Sequence, residues 1–279
     1  MTPETVSLAA LICFGAGAVV AIAGFRVEAL RKNSYQYLLV GLGVLLKTVS
    51  IGMHCARSDS HLFNTPSEVY GLLAWALACS FLVALVASAA RSLGALILPL
   101  VTILLALSHI LPRDSDAPAL AQHRFLAPHI LSAFLGYGLF LTACGGSVLY
   151  LEQARLLKRK MFGVLFRDLP SLERLERLEI LCAWLGLAAF TIAIATGAVL
   201  AHDLKMPFWT EPKIVATEIT WLIFFVLLVG RAIRRLNGRS AAKFVLAGAA
   251  LVFCTFLLTH PSAKPSTAQM PPVLKAGPL

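Results

Sequence analysis

Seven histidines carry most of the coordination chemistry open to this chain: His54, His61, His109, His123, His129, His202 and His260. Neutral imidazole is the commonest protein ligand for metals and for haem iron. No HxxxH spacing is present, so a shared site has to be assembled from different helices, as sites in helical bundles are. Two axial imidazoles from separate helices, such as His129 and His260, would hold a flat haem between them. A second concentration of chemistry is the stretch PFWTEPKIVATEITW, residues 207–221, with Trp209, Lys213, Glu218 and Trp221. A plain connector does not need such aromatics, and a plain membrane span does not tolerate such charges.

Three charges stand in or at the edge of apolar runs: Lys47, Glu68 and Glu218. A charge in hydrocarbon costs several kcal/mol, so each should face a polar interior, a partner or a ligand cavity. Glu218 or another carboxylate is a candidate partner for Lys47. The six cysteines are scattered, form no CxxC, and read as small core residues. No nucleophile–base pair and no phosphate-binding glycine loop is evident, so ordinary enzymatic catalysis is not expected.

The elements that must position these residues are membrane helices. Hydrophobic residues make up 58% of the 279, charged residues only 14%, and the mean hydropathy is +0.81. A soluble domain averages about 25% charged residues. Apolar runs near the ~20 residues needed to cross hydrocarbon fall at 5–25, 35–54, 67–89, 93–111, 127–151, 179–201, 214–233 and 241–260. The expected fold class is therefore all-α, a polytopic integral membrane protein of about eight transmembrane helices. The first run lacks a basic leader and a small-residue cleavage site, so it reads as a span.

Basic residues alternate between connections. One set has sixteen: Arg26, Arg31, Lys32, Arg91, Arg155, Lys158, Arg159, Lys160, Arg167, Arg174, Arg177, Arg231, Arg234, Arg235, Arg239 and Lys243. The other has seven: Arg57, Arg113, Arg124, Lys205, Lys213, Lys264 and Lys275. The positive-inside rule puts the larger set in the cytoplasm and both termini outside. All seven histidines and the 207–221 stretch then lie on the outer side. The net charge of +10 serves orientation and lipid headgroups rather than nucleic acid. Leu169, Leu172, Leu175 and Leu178 suggest a short amphipathic helix on the inner surface. The Pro- and Ser-rich tail, 261–279, reads as disordered.

Residues 207–221 resemble a reduced form of the tryptophan-rich loop of the CcsA/CcmC-type cytochrome c assembly proteins. Trp209, Pro212, Lys213, Ile219, Thr220 and Trp221 stand at matching positions, and Glu211 replaces an aspartate. Thr210, Ile214 and Ala216 stand where the family has Trp, Glu and Trp. PHILSAFLGYGLFL resembles the span opening with one haem-ligating histidine, here His129; FCTFLLTH resembles the segment carrying the other, here His260. Thr196-Gly197, Glu68 with Trp75, and LPSLERLERLE also match in order. The resemblance covers 61–260, after N-terminal helices in 1–60, and the lost tryptophans point to the divergent HemX/YpjD-like branch. It implies a protein that binds or presents haem b at the outer face of a bacterial cytoplasmic membrane. His129 and His260 would be the axial ligands. Trp209, Lys213 and Trp221 would lie around the porphyrin. A second assembly subunit and apocytochrome c would be partners, with lipid around the whole. The branch also implies an alternative, a membrane regulator of tetrapyrrole synthesis that delivers no haem.

Overall fold

The computed structural model describes residues 2–27, 35–57, 65–88, 91–111, 123–163, 166, 168–203, 212–233, 235–236 and 238–258, with side chains undescribed at 88, 212–213 and 253–258. His61, Trp209, His260 and the tail 261–279 lie outside the described residues, as does the side chain of Lys213.

Among the described residues eight α-helices run in order, α1 (Pro3–Ala23), α2 (Tyr35–Arg57), α3 (Pro66–Ser88), α4 (Gly94–Ile110), α5 (Leu126–Lys158), α6 (Leu172–Asp203), α7 (Pro212–Ala232) and α8 (Arg239–Leu258). No strand occurs among the described residues. A lipid environment leaves backbone groups no water to bond, which favours helices satisfied within themselves. Seven of them, α1 to α7, are long and apolar enough to cross a membrane, and α8 follows with 20 residues. Starts are written locally. Thr2 and Thr5 cap α1 reciprocally, with Pro3 in the first turn. Thr65 and Glu68 do the same for α3, each backbone N–H donating to the other's side chain at 3.3 and 3.2 Å.

Two helices exceed the expectation. α5 has 33 residues and α6 has 32. At ~1.5 Å per residue each reaches about 50 Å, against about 30 Å of hydrocarbon. The leucine-rich connector is not a separate helix on the membrane surface. Leu172 begins α6, and Leu175 and Leu178 are buried in the core. Their stripe faces the bundle instead of lipid because α5 runs on beside it.

The helices form two rings of four. α1 and α3 each pack on α2 and α4; α5 and α7 each pack on α6 and α8. The pairing order is the same in both, so the second ring repeats the first at a spacing too long to show as a short sequence repeat. One contact recurs in detail. Trp75 on α3 donates its indole N–H to Thr48 on α2 at 2.8 Å, and Trp221 on α7 donates to Thr191 on α6 at 2.9 Å. Each threonine donates its own proton to the carbonyl four residues earlier, Val44 or Leu187, at 2.8 Å. Each tryptophan lies nine residues after the proline that opens its helix, Pro66 or Pro212.

The rings meet where α3 packs on α5 and α6. Gly138 permits the closest approach: a Cβ there would lie 2.7 Å from the Ala76 carbonyl oxygen. Within the second ring, α5 and α6 hold a constant antiparallel register. Gly136 faces Phe190, Phe140 faces Gly186, and His129 faces Gly197. Phe140 also stacks on Phe224 of α7, ring centroids 3.6 Å apart.

Candidate functional site

His129 sits in the first turn of α5, half-buried against the last turns of α6. Its Nδ1 lies 2.7 Å from the carbonyl oxygen of Ala193. A carbonyl only accepts, so Nδ1 carries a proton; in the neutral ring this leaves the lone pair on Nε2. The ring rests where Gly197 has no side chain; a Cβ there would come within 2.7 Å of Cε1 and 2.9 Å of Nδ1. Ala193 and Gly197, four residues apart, thus form one prepared helical face. This is the arrangement by which a second hydrogen bond fixes the tautomer and tilt of a metal-binding imidazole. A neutral imidazole presenting Nε2 suits an axial position on haem iron, so this residue fits the implied group.

Two more histidines stand at the same end of the molecule. His123 Nε2 lies 3.1 Å from Asp203 Oδ2, and His202 Nδ1 lies 3.4 Å from Asp203 Oδ1. These contacts tie the approach to α5 to the end of α6. Asp203 is a residue that sequence reasoning missed, although it is the acid next to His202. The carbonyl of Ala193 had no sequence signal at all.

The second half of the 207–221 stretch is helix, not loop: α7 begins at Pro212. Thr217 hydrogen-bonds Tyr137 of α5. Thr220 is fully buried and donates to the Ala216 carbonyl at 2.8 Å. Trp221 is held by Thr191 and stacks on Phe225 at 5.0 Å and 9°. Thr191 lies six residues before Gly197, about 9 Å along the helix and on another face. The structure therefore does not bring Trp221 beside His129; both pack on α6, on different sides.

The remaining described histidines belong to the first ring. His54 and His109 line a cavity with Lys47, Ser7, Glu4 and Glu68. Lys47, buried, donates to Ser7 Oγ at 3.0 Å. Glu218 lies on α7, which packs on α6 and α8, so it is not the partner proposed for Lys47. Among the described residues no three His, Cys, Asp or Glu side chains gather as a metal site.

Residues 66–261 match the family model described as cytochrome C assembly protein. The protein HemX of Bacillus subtilis (strain 168) is 29% identical over 118 residues, covering 42% of this chain and 43% of that one. The cytochrome c biogenesis protein CcsA of Chlamydomonas reinhardtii is 25% identical over 240 residues, covering 82% of this chain and 66% of its own length. CcsA of Guillardia theta is 24% identical over 238 residues, 77% and 79% of the two chains. The match to HemX thus spans less than half of that relative. No solved structure matches. With helices of membrane-spanning length throughout and a family match from the start of α3 to beyond α8, the chain belongs to the cytochrome c assembly protein family, among relatives of both the CcsA and the HemX kind.

Proposed function

We propose that this chain handles haem on the outer side of a bacterial cytoplasmic membrane, in the service of cytochrome c assembly. The observation that carries the reading is the His129 imidazole, oriented by the Ala193 carbonyl with its lone pair on Nε2. His129 and His260 would supply the two axial nitrogens of haem b. Trp209 and Lys213 would stand over the porphyrin face and near a propionate. Trp221, held by Thr191, would instead fix the base of that segment. Asp203 with His123 and His202 would keep the outer end of α5 and α6 together. The protein would hold and present haem without itself making a covalent bond; a second membrane subunit and apocytochrome c would complete the process. The test is the visible spectrum of the detergent-purified protein with added haem. A bis-imidazole spectrum is expected, lost in His129→Ala and in His260→Ala. Failure of the wild type to take up haem, or an unchanged spectrum in both variants, sinks the reading.

A second reading has its own support. Trp221 is committed to helix packing, Thr210 and Ala216 stand where the family has tryptophan, and a HemX protein is among the relatives. The chain would then be a membrane regulator of tetrapyrrole synthesis. A deletion strain separates the two: lost c-type cytochromes favour haem presentation, and altered haem precursors with normal cytochrome c favour regulation.

A further inference from the structure

At the end opposite His129, α5 closes on an unusual turn. It ends in a Schellman motif: the Met161 N–H donates to the Leu156 carbonyl at 3.0 Å, and the Lys160 N–H to the Leu157 carbonyl at 3.1 Å. The pivot of that motif sits in the left-handed region, where glycine is the relaxed choice. Here the pivot is Lys160, with φ 53°. Among the described residues no other side chain but glycine's is held at positive φ. Strain kept at a single point is a reason to look for a function there.

The turn sets out a compact pattern. Lys158, Arg159 and Lys160 are exposed in succession. Nearby, Arg155 is paired with Glu152 at 3.8 Å and Arg177 with Glu173 at 2.6 Å. Among the described residues no carboxylate pairs with Lys158, Arg159 or Lys160. Directly after them Met161 is 54% and Phe162 62% exposed. Phe162 is held at its base: it meets the Phe166 ring edge-to-face, centroids 5.1 Å apart, and Phe166 packs on the core.

We propose that this turn is an anchor for anionic phospholipid. The three cations hold phosphate headgroups, and Met161 and Phe162 sink between them toward the acyl chains. The proposal depends neither on haem binding nor on which leaflet this end of the molecule faces.

Helix length puts the turn at the right depth. A bilayer with its headgroups is about 40–45 Å thick. α5 is about 50 Å long, and a tilt of about 20° leaves it a reach of about 47 Å. Its last turn therefore falls at the headgroup surface, neither in hydrocarbon nor far out in water. Positive charge near a membrane end is by itself only an orientation signal. That signal does not call for two large apolar side chains in the open beside it, or for lysine where glycine is relaxed. Lys and Arg carry donors and no acceptor, so what meets them has to be anionic. A soluble acidic partner would supply the charge alone. A phospholipid supplies phosphate and apolar depth together at this height, the combination that interfacial segments use.

The test uses the full chain in nanodiscs, which leave both faces open to protease. Trypsin cuts after exposed Lys and Arg, so cleavage at 158–160 reports whether the turn is covered. Discs of phosphatidylcholine alone are compared with discs of equal parts phosphatidylcholine and phosphatidylglycerol. Cleavage at the turn is expected to slow tenfold or more in the mixture, measured against cleavage elsewhere in the same chain. Phe162→Ser keeps every cleavage site and should recover several-fold of the lost rate. Lys160→Gly relaxes the turn and removes one cation. Its melting temperature should be unchanged or higher. Its affinity for phosphatidylglycerol, read by native mass spectrometry in detergent, should be about fivefold lower. A lysine that served the fold alone would instead lose stability and keep its lipid. Equal cleavage in the two lipids, full protection in Phe162→Ser, or unchanged lipid affinity in Lys160→Gly would overturn the proposal, and the first of these would leave the turn to a soluble acidic partner.

Discussion

His129 depends on a residue that makes no bond. Gly197 is the space in which its ring turns to reach the Ala193 carbonyl. Gly197→Ala keeps α6 helical and adds only a methyl group, yet it pushes the ring off its acceptor. The expected result is haem affinity reduced tenfold or more, with retained folding, read by titrating haem into the purified variant and following the absorption band. At the opposite end, Arg231 reaches Glu176 at 3.4 Å and Glu179 at 3.9 Å, and both Arg231 and Glu179 are nearly inaccessible. Breaking a buried pair from one side costs about 3–5 kcal/mol because the other charge is stranded. Arg231→Met should therefore lower the melting temperature in detergent, and Arg231→Met with Glu179→Gln should recover much of the loss. His129 was legible because it opens an apolar span. The Arg231 group was not, because its members lie about fifty residues apart and each looks like an ordinary charge near a membrane surface.

Between elements, the recurring device is an indole N–H on a threonine hydroxyl that is itself tied to its own helix. Each such bond is worth about 1 kcal/mol net. Trp221→Phe and Thr191→Val should each destabilise by about that much, and the double variant by little more than either, since both remove one bond. A double-mutant cycle of thermal unfolding measures this. A strongly additive result would mean that Trp221 acts on something other than Thr191. The close packing of α5 on α6 predicts a larger cost at Gly186. A Cβ there would lie 2.6 Å from the Phe140 ring, so Gly186→Ala should cost about 1–3 kcal/mol by overpacking, seen as a lower melting temperature. The sequence located all eight helices to within a few residues at most ends, because hydrophobicity marks the crossing of hydrocarbon directly. It misplaced the end of α5 and the start of α6 for the same reason. Those turns lie beyond the apolar stretch and are held by leucines buried across the pair, such as Leu156 and Leu175, and by polar contacts such as Arg239 on the Ala154 carbonyl. Nor does a tryptophan near a membrane boundary disclose whether it faces a ligand or, as Trp221 does, a neighbouring helix.

At the scale of the whole molecule, the charge asymmetry makes a prediction about sidedness. A reporter joined after residue 203 should be active outside the membrane, and one joined after residue 160 inside. The reverse pattern would put His129, His123, His202 and Asp203 on the cytoplasmic side. The two rings keep their polar groups apart, His129 on α5 in one and the buried Lys47 on α2 in the other. What joins the rings is the Gly138 contact, where backbone lies against the Ala76 carbonyl with no side chain between. A side chain at that seam would have to part the two halves, since a Cβ on Gly138 would also meet Ser80 Oγ at 2.7 Å. Gly138→Leu should therefore act on both rings at once, lowering the melting temperature of the whole bundle by overpacking its shared wall.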